Sequence, residues 1–285
     1  MPTNLTWVGT DSGNEGDWGT AANWSPAQVP ISGDSVFIVS GSEDIDGDDQ
    51  NAVVLARLVV GTKYSGSIGS SGTKLQISAT DFDYSGRGDT CYIEGDFTTV
   101  TVQETSTNAN ALNLYGEGAD DITTLRVLGG RGTINVDASQ DVTTVECIGA
   151  DGVTLVIADS TDLTGASLTM DSGTVEANQA FPTMTIFGGE CVCTFDTGTV
   201  TTFNQYGGRV RWNPTAACTI TTLVIYAGLF DSRESTSPAY TITDCTIHEQ
   251  GQLDERSGLS NATYTNPINC EGGEILLIDR LVTIT

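Results

Sequence analysis

Carboxylates are the most numerous reactive side chains of this chain. Their densest run is SEDIDGDDQ (residues 42–50), which sets Asp44, Asp46 and Asp48 at alternate positions. Hard oxygen ligands at that spacing resemble the start of a calcium loop. An EF-hand, however, asks for Gly at the sixth place and Glu at the twelfth. Here those places hold Asp49 and Leu55, and the glycine stands at 47. Asp-Gly is also an ordinary turn signal. Calcium on Asp44, Asp46 and Asp48 is therefore the one cofactor candidate, beside the plain alternative of a solvated turn.

A glycosidase needs two carboxyl groups flanking one bond at a fixed separation. Candidates are abundant: Asp81, Asp83, Asp89, Glu94, Asp96, Asp120, Asp121, Asp137, Asp141, Glu146, Asp151, Asp159 and Asp162. No motif singles out a pair, and no G-x-S-x-G, P-loop or H-E-x-x-H occurs. No catalytic residue is expected. In GGRVRW (residues 207–212), Arg209 and Arg211 share one face of a strand with Trp212 beside them. Two guanidinium forks side by side suit a carboxylate, as an inter-chain salt bridge or against an acidic sugar. Seven cysteines (Cys91, Cys147, Cys191, Cys193, Cys218, Cys245, Cys270) stand with a single histidine, His248. That is too few histidines for a Cys/His zinc site. Cys191 and Cys193 fall on one face of a strand, and buried, reduced thiols are expected.

The elements that would position these residues are short and β-like. Apolar residues recur at period two in TINV, TTLRV, TLVI and EILLI, with Gly, Asp, Asn or Ser between runs. A longer period overlies this one. Glycine follows an apolar strand at 130, 152, 173, 189, 208, 228 and 251, in steps of 22, 21, 16, 19, 20 and 23. About 20 residues is short for a propeller blade, which needs about 40. A sandwich would show hairpin turns without a repeated phrase. A single-stranded right-handed parallel β-helix fits: each coil holds short strands joined by corners, and glycine supplies the positive φ of a sharp corner. Val127, Val145 and Leu168 with Ile186, or Leu128 with Ile148, are expected to stack inside. Thr pairs at 123–124, 143–144, 201–202 and 221–222 are expected to form an outer ladder. Residues 1–38 differ. They hold Trp7, Trp18 and Trp24, three of the four tryptophans. They read as an N-terminal cap or attachment segment, with the β-helix over 39–285.

The runs NWSPAQVPISGDSVFI, DIDGDDQNAVVLARLVVG and YSGSIGSSGTKLQI resemble the opening of a group of phage-encoded β-helical proteins. They are also similar to the first coils of bacterial β-helical surface proteins. The resemblance covers about residues 20–80. It implies a trimeric virion component, either a capsid decoration protein or a tailspike.

With 37 acidic against 11 basic residues the net charge is −26. Such a chain repels nucleic acid and anionic membranes, so neither is an expected partner. The start, MPTNLTWVGT, lacks a basic region followed by an apolar core, so synthesis in the host cytoplasm is expected. The last strand, GGEILLIDRLVTIT, places Leu276, Ile278 and Val282 on one side, a surface expected to be buried between subunits. The resulting expectation is a structural phage virion protein, a decoration or cement protein forming homotrimers on the head. Its partners would be the major capsid protein or another virion protein. The rival reading is a tailspike or receptor-binding protein that binds or cleaves host surface polysaccharide.

Overall fold

The structure, a computed structural model, describes residues 1–116, 121–158, 166–195, 197–233, 240–256, 262–277 and 283–284. The chain is all-β, a parallel β-helix of about ten turns. Among the described residues the one helical piece is a 3-10 turn, Ala21–Asn23, and no helix is long and apolar enough to cross a membrane. The chain forms two units: Met1–Thr144 with Gly152–Leu155, and Val145–Asp151 with Val156–Thr285.

In the first unit, in-register parallel pairing stacks like positions of successive coils. Val36 lies against Leu58, Leu58 against Phe82, Phe82 against Val100, and Val100 against Leu125. All five are fully buried. Burying each such side chain contributes about 1.5–3 kcal/mol. The alternation breaks at a recurring place in successive coils, where two outward residues stand between two buried ones. Examples are Leu55–Leu58, Ala79–Phe82, Phe97–Val100 and Ile122–Leu125. Two consecutive outward residues mean that the backbone bends there. Thr99 pairs with Thr124 at this bend, so one of the expected outer threonines stands in a threonine pair there.

The parallel ladder begins earlier than residue 39. Strand Asn4–Trp7 pairs in parallel with Ser35–Gly41 and antiparallel with Trp24–Ser25. Trp7, Trp18 and Trp24 are 2% exposed or less. Their rings meet edge to face: Trp7–Trp24 at 4.9 Å and 75°, Trp18–Trp24 at 4.7 Å and 74°. The Trp24 indole N–H donates to the Trp18 carbonyl at 2.9 Å. Asn23, fully buried beside them, accepts from the Asp11 backbone N–H and donates to the Asn14 and Asp17 carbonyls.

The second unit repeats the pattern. Leu168, Met184, Phe203, Leu223 and Cys245 form one inner column, and Met170, Ile186, Gln205, Ile225 and Ile247 another. Leu168 thus aligns with Met184, not with Ile186 as expected. All four expected residues, Val127 and Val145 included, are buried. Leu128 and Ile148 are corrections: they are 41% and 44% exposed. Val127 and Cys147 take the inward places, so the next residue along the strand must face out. Thr202 pairs with Thr222 at the outer bend. Gly189, Gly208 and Gly228 have φ of 74°, 68° and 85°. A Cβ on Gly208 would lie 2.5 Å from the Gly189 carbonyl oxygen, so that corner needs glycine for its φ and for its closeness to the coil beneath. Gly251, expected at a corner too, has no positive φ. It stands in register with Gly228 inside the long strand Tyr240–Glu255.

All seven cysteines are free, six of them buried and Cys270 exposed. Cys191 and Cys193 point inward together, their sulfurs 3.8 Å apart.

Candidate functional site

In the described coils of the second unit, the residue that follows the second inner column faces outward. In four successive coils it carries a ring: Phe187, Tyr206, Tyr226 and His248. Register fixes the column, because the preceding residues Ile186, Gln205, Ile225 and Ile247 are paired in sequence. The rings stack face to face at 5.0 Å and 14°, 4.5 Å and 2°, and 4.6 Å and 4°. These separations follow the spacing of parallel strands, about 4.8 Å. Phe187, Tyr206 and Tyr226 are 48%, 42% and 37% exposed. At one end His248 Nδ1 lies 2.9 Å from Glu271 Oε2. At the other, Met170 pairs with Ile186, so exposed Asp171 stands next to Phe187 in the column. The Tyr226 phenol is held above its ordinary pKa by desolvation first, then by the charge and hydrogen bond of Tyr206.

A stack of this kind has used up its ring faces. What it offers is a ridge of ring edges and phenol hydroxyls, apolar in the middle and acidic at both ends. It can bind by shape and by hydrogen bonds; it supplies no nucleophile–base pair.

Beyond the glycine corner runs a charged row. Arg209 Nη2 lies 2.6 Å from Asp231 Oδ2, and Arg209 Nη1 lies 3.5 Å from Glu190 Oε1. Arg233 reaches Asp231 at 2.8 Å and Asp254 at 3.3 Å, and Arg256 reaches Asp254 at 2.8 Å. Arg233 and Arg256 use the same hook: backbone N–H and Nε on Oδ1 of the Asp two residues earlier, Nη2 on Oδ2. Asp231 is held far below the usual carboxylate range, chiefly by its hydrogen bonds from Arg233 against the opposing effect of burial. Asp254 is lowered in the same way by Arg256.

Of the expected patch of Arg209, Arg211 and Trp212, the placement of Trp212 is corrected. Arg209 is engaged within the chain, and Arg211 Nε stands 4.0 Å from Glu190. Trp212 is fully buried, with ring contacts to Phe195, Phe203, Phe230 and Tyr240. Strand alternation puts it opposite Arg211, so it cannot share a surface with the arginines. Leu276 is half-buried and pairs with Asp254. Ile278 and Val282 lie outside the described residues.

Asp44, Asp46 and Asp48 do not converge on an ion. Asp44 accepts from the Ser67 backbone N–H at 2.7 Å, and Asp48 accepts from Asp49 N–H and Gln50. The Asp46 carboxylate crowds Gly16. Among the described residues no group of three or more His, Cys, Asp or Glu side chains is placed to hold a metal. The other acids are dispersed: Asp83 pairs with Arg57, Glu94 with Lys74, and Asp137 caps Ser139. Asp120, Asp159 and Asp162 lie outside the described residues, as does the side chain of Asp121.

The sequence reading missed the ring column. Its trace is present in IFGGE, QYGGR, IYAGL and IHEQG, each with a ring two or three residues before the aligned glycine, but a ring after an apolar or amide residue also reads as core. Compared with protein-family models, with curated proteins and with solved structures, the chain finds no match.

Proposed function

We propose that this chain is a structural protein that works by docking, a decoration or cement component of a phage head assembled as a homotrimer. The exposed ring ladder carries the reading. The fold needs its inner columns, but it does not need four rings on the outside of consecutive coils. An exposed contiguous aromatic row on a soluble chain is the kind of patch that marks an interaction surface. The in-chain pairing of the charged row supports a stiff scaffold beside that ridge. The phage setting rests on the resemblance of residues 20–80.

Light scattering of the purified chain tests assembly, and mass-spectrometric copy number in the source particle tests placement. A trimer mass and hundreds of copies per particle are the expected results. A monomer at micromolar concentration, or a few copies together with release of sugars from host polysaccharide, would replace this reading with the tailspike one.

A further inference from the structure

The second unit carries a carboxyl group inside its coils. Strand Tyr240–Glu255 abandons alternation at its end: Leu253, Asp254 and Glu255 are all buried. Asp254 is taken by the arginine hooks, which leaves Glu255 to turn inward at 2% exposure. It enters the inner column that runs Ala177, Cys193, Trp212, then Ser232. There its Oε1 accepts from the Tyr264 hydroxyl at 2.9 Å and its Oε2 accepts from the Tyr240 hydroxyl; Oε2 also lies 2.8 Å from the Ser232 hydroxyl, whose single proton can go to the Asp254 carbonyl at 3.1 Å, leaving the Ser232 oxygen to accept the proton of a neutral Glu255. Ser232, Tyr240 and Tyr264 are each fully buried. One carboxyl therefore ties three separate segments of successive coils, through neutral hydroxyls.

We propose that Glu255 is a proton-set latch: while its carboxyl is protonated, the coils built on Tyr240–Glu255 and Ala262–Tyr264 close on it, and loss of the proton to water loosens them. Among the described residues, the other ionisable groups acting on the cluster keep one protonation state through the glutamate range. The Tyr240 and Tyr264 phenols are pushed well up, by burial first and then by Glu255. Burial pushes the Cys218 and Cys245 thiols up to about 12. Asp254 and Asp231 are held down by their arginines and stay charged. Glu255 itself is raised above the glutamate range, by burial first, against the lowering effect of its hydrogen bonds with Tyr240, Ser232 and Tyr264. The sign follows. A carboxyl raised in the folded state leaves the coils fully stable below the ordinary glutamate range. That stability is lost as pH climbs towards the raised value, and above it the loss levels off.

Backbone hydrogen exchange on the full chain, corrected for its intrinsic pH dependence, tests this. In the wild type, protection of Tyr240–Glu255 and Ala262–Tyr264 should fall by up to about tenfold per pH unit in that window. Glu255→Gln keeps the shape without the charge and should flatten the fall, while Leu75–Tyr84 in the first unit behaves alike in both proteins. Equal slopes in wild type and variant, or protection rising with pH, would overturn the latch. Should the variant fail to fold, infrared titration of the wild type decides. The protonated-carboxyl band should disappear over the same pH range as the protection, and protection lost without any change in that band would overturn the proposal.

Discussion

The tryptophan cluster of the first unit and the ring ladder of the second are both aromatic assemblies, yet they obey different rules. In the cluster, rings cross at 74–75°, the edge-to-face arrangement that the quadrupole favours when packing leaves rings free to choose. In the ladder they lie within 14° of parallel, because strand register dictates ring spacing. The cluster is hidden and the ladder is exposed. Hidden rings stabilise by burial. Exposed rings contribute little to folding and are available to a partner.

That contrast is most sharply tested by removing a ring from each assembly. Trp24→Ala should destabilise the first unit by about 3–5 kcal/mol, the cost of a large buried aromatic, read by urea unfolding. A loss below about 1 kcal/mol would mean that the cluster is not a core. Next in size is Gly208→Ala, which puts a side chain at φ 68° and a Cβ 2.5 Å from a carbonyl oxygen. It should cost about 1–3 kcal/mol and disturb the spacing between Phe187 and Tyr206, seen as a lower melting temperature and an altered near-ultraviolet spectrum. Tyr206→Ala should cost less than about 1.5 kcal/mol in stability and yet abolish association in light scattering. The reverse result, a large stability loss with association intact, would erase the distinction. The smallest effect is spectroscopic. Tyr226 should ionise above the ordinary tyrosine range, so the stack is intact below that range and loosens as pH rises through the raised value. Tyr206→Phe should move the transition part of the way down in ultraviolet absorbance, since desolvation, the first cause, stays.

The coils were legible because a stacked fold repeats its constraints. Gly189, Gly208 and Gly228 mark one corner, and the Thr pairs mark the other. The inward residues follow from alternation between them, and Cys191 with Cys193 were placed correctly on that basis. Leu128 and Ile148 were misplaced because an apolar residue was presumed to be inside, when Val127 and Cys147 already held the inward places. The ladder was missed for the opposite reason. An aromatic residue after an apolar one reads as core, and only the register shows four such residues outside in one column. Trp212 failed through a parity slip: a residue one place from Arg211 faces the other way. Glu255 gave no local sign, since its role depends on hydroxyls fifteen or more residues back and nine ahead in the chain.

The six inward cysteines give the molecule a property that belongs to kinetics. Cys91, Cys147, Cys191, Cys193, Cys218 and Cys245 are each 5% exposed or less, and they are spread through the coils. A thiol reagent added to the native protein can meet Cys270 at once, but it meets the others only when a coil opens. Each interior cysteine is then a clock at a known address, with Cys270 as the internal standard of unhindered reaction. Peptide mapping at timed intervals would convert the interior into a map of opening rates along the chain, without a label, a variant or a partner.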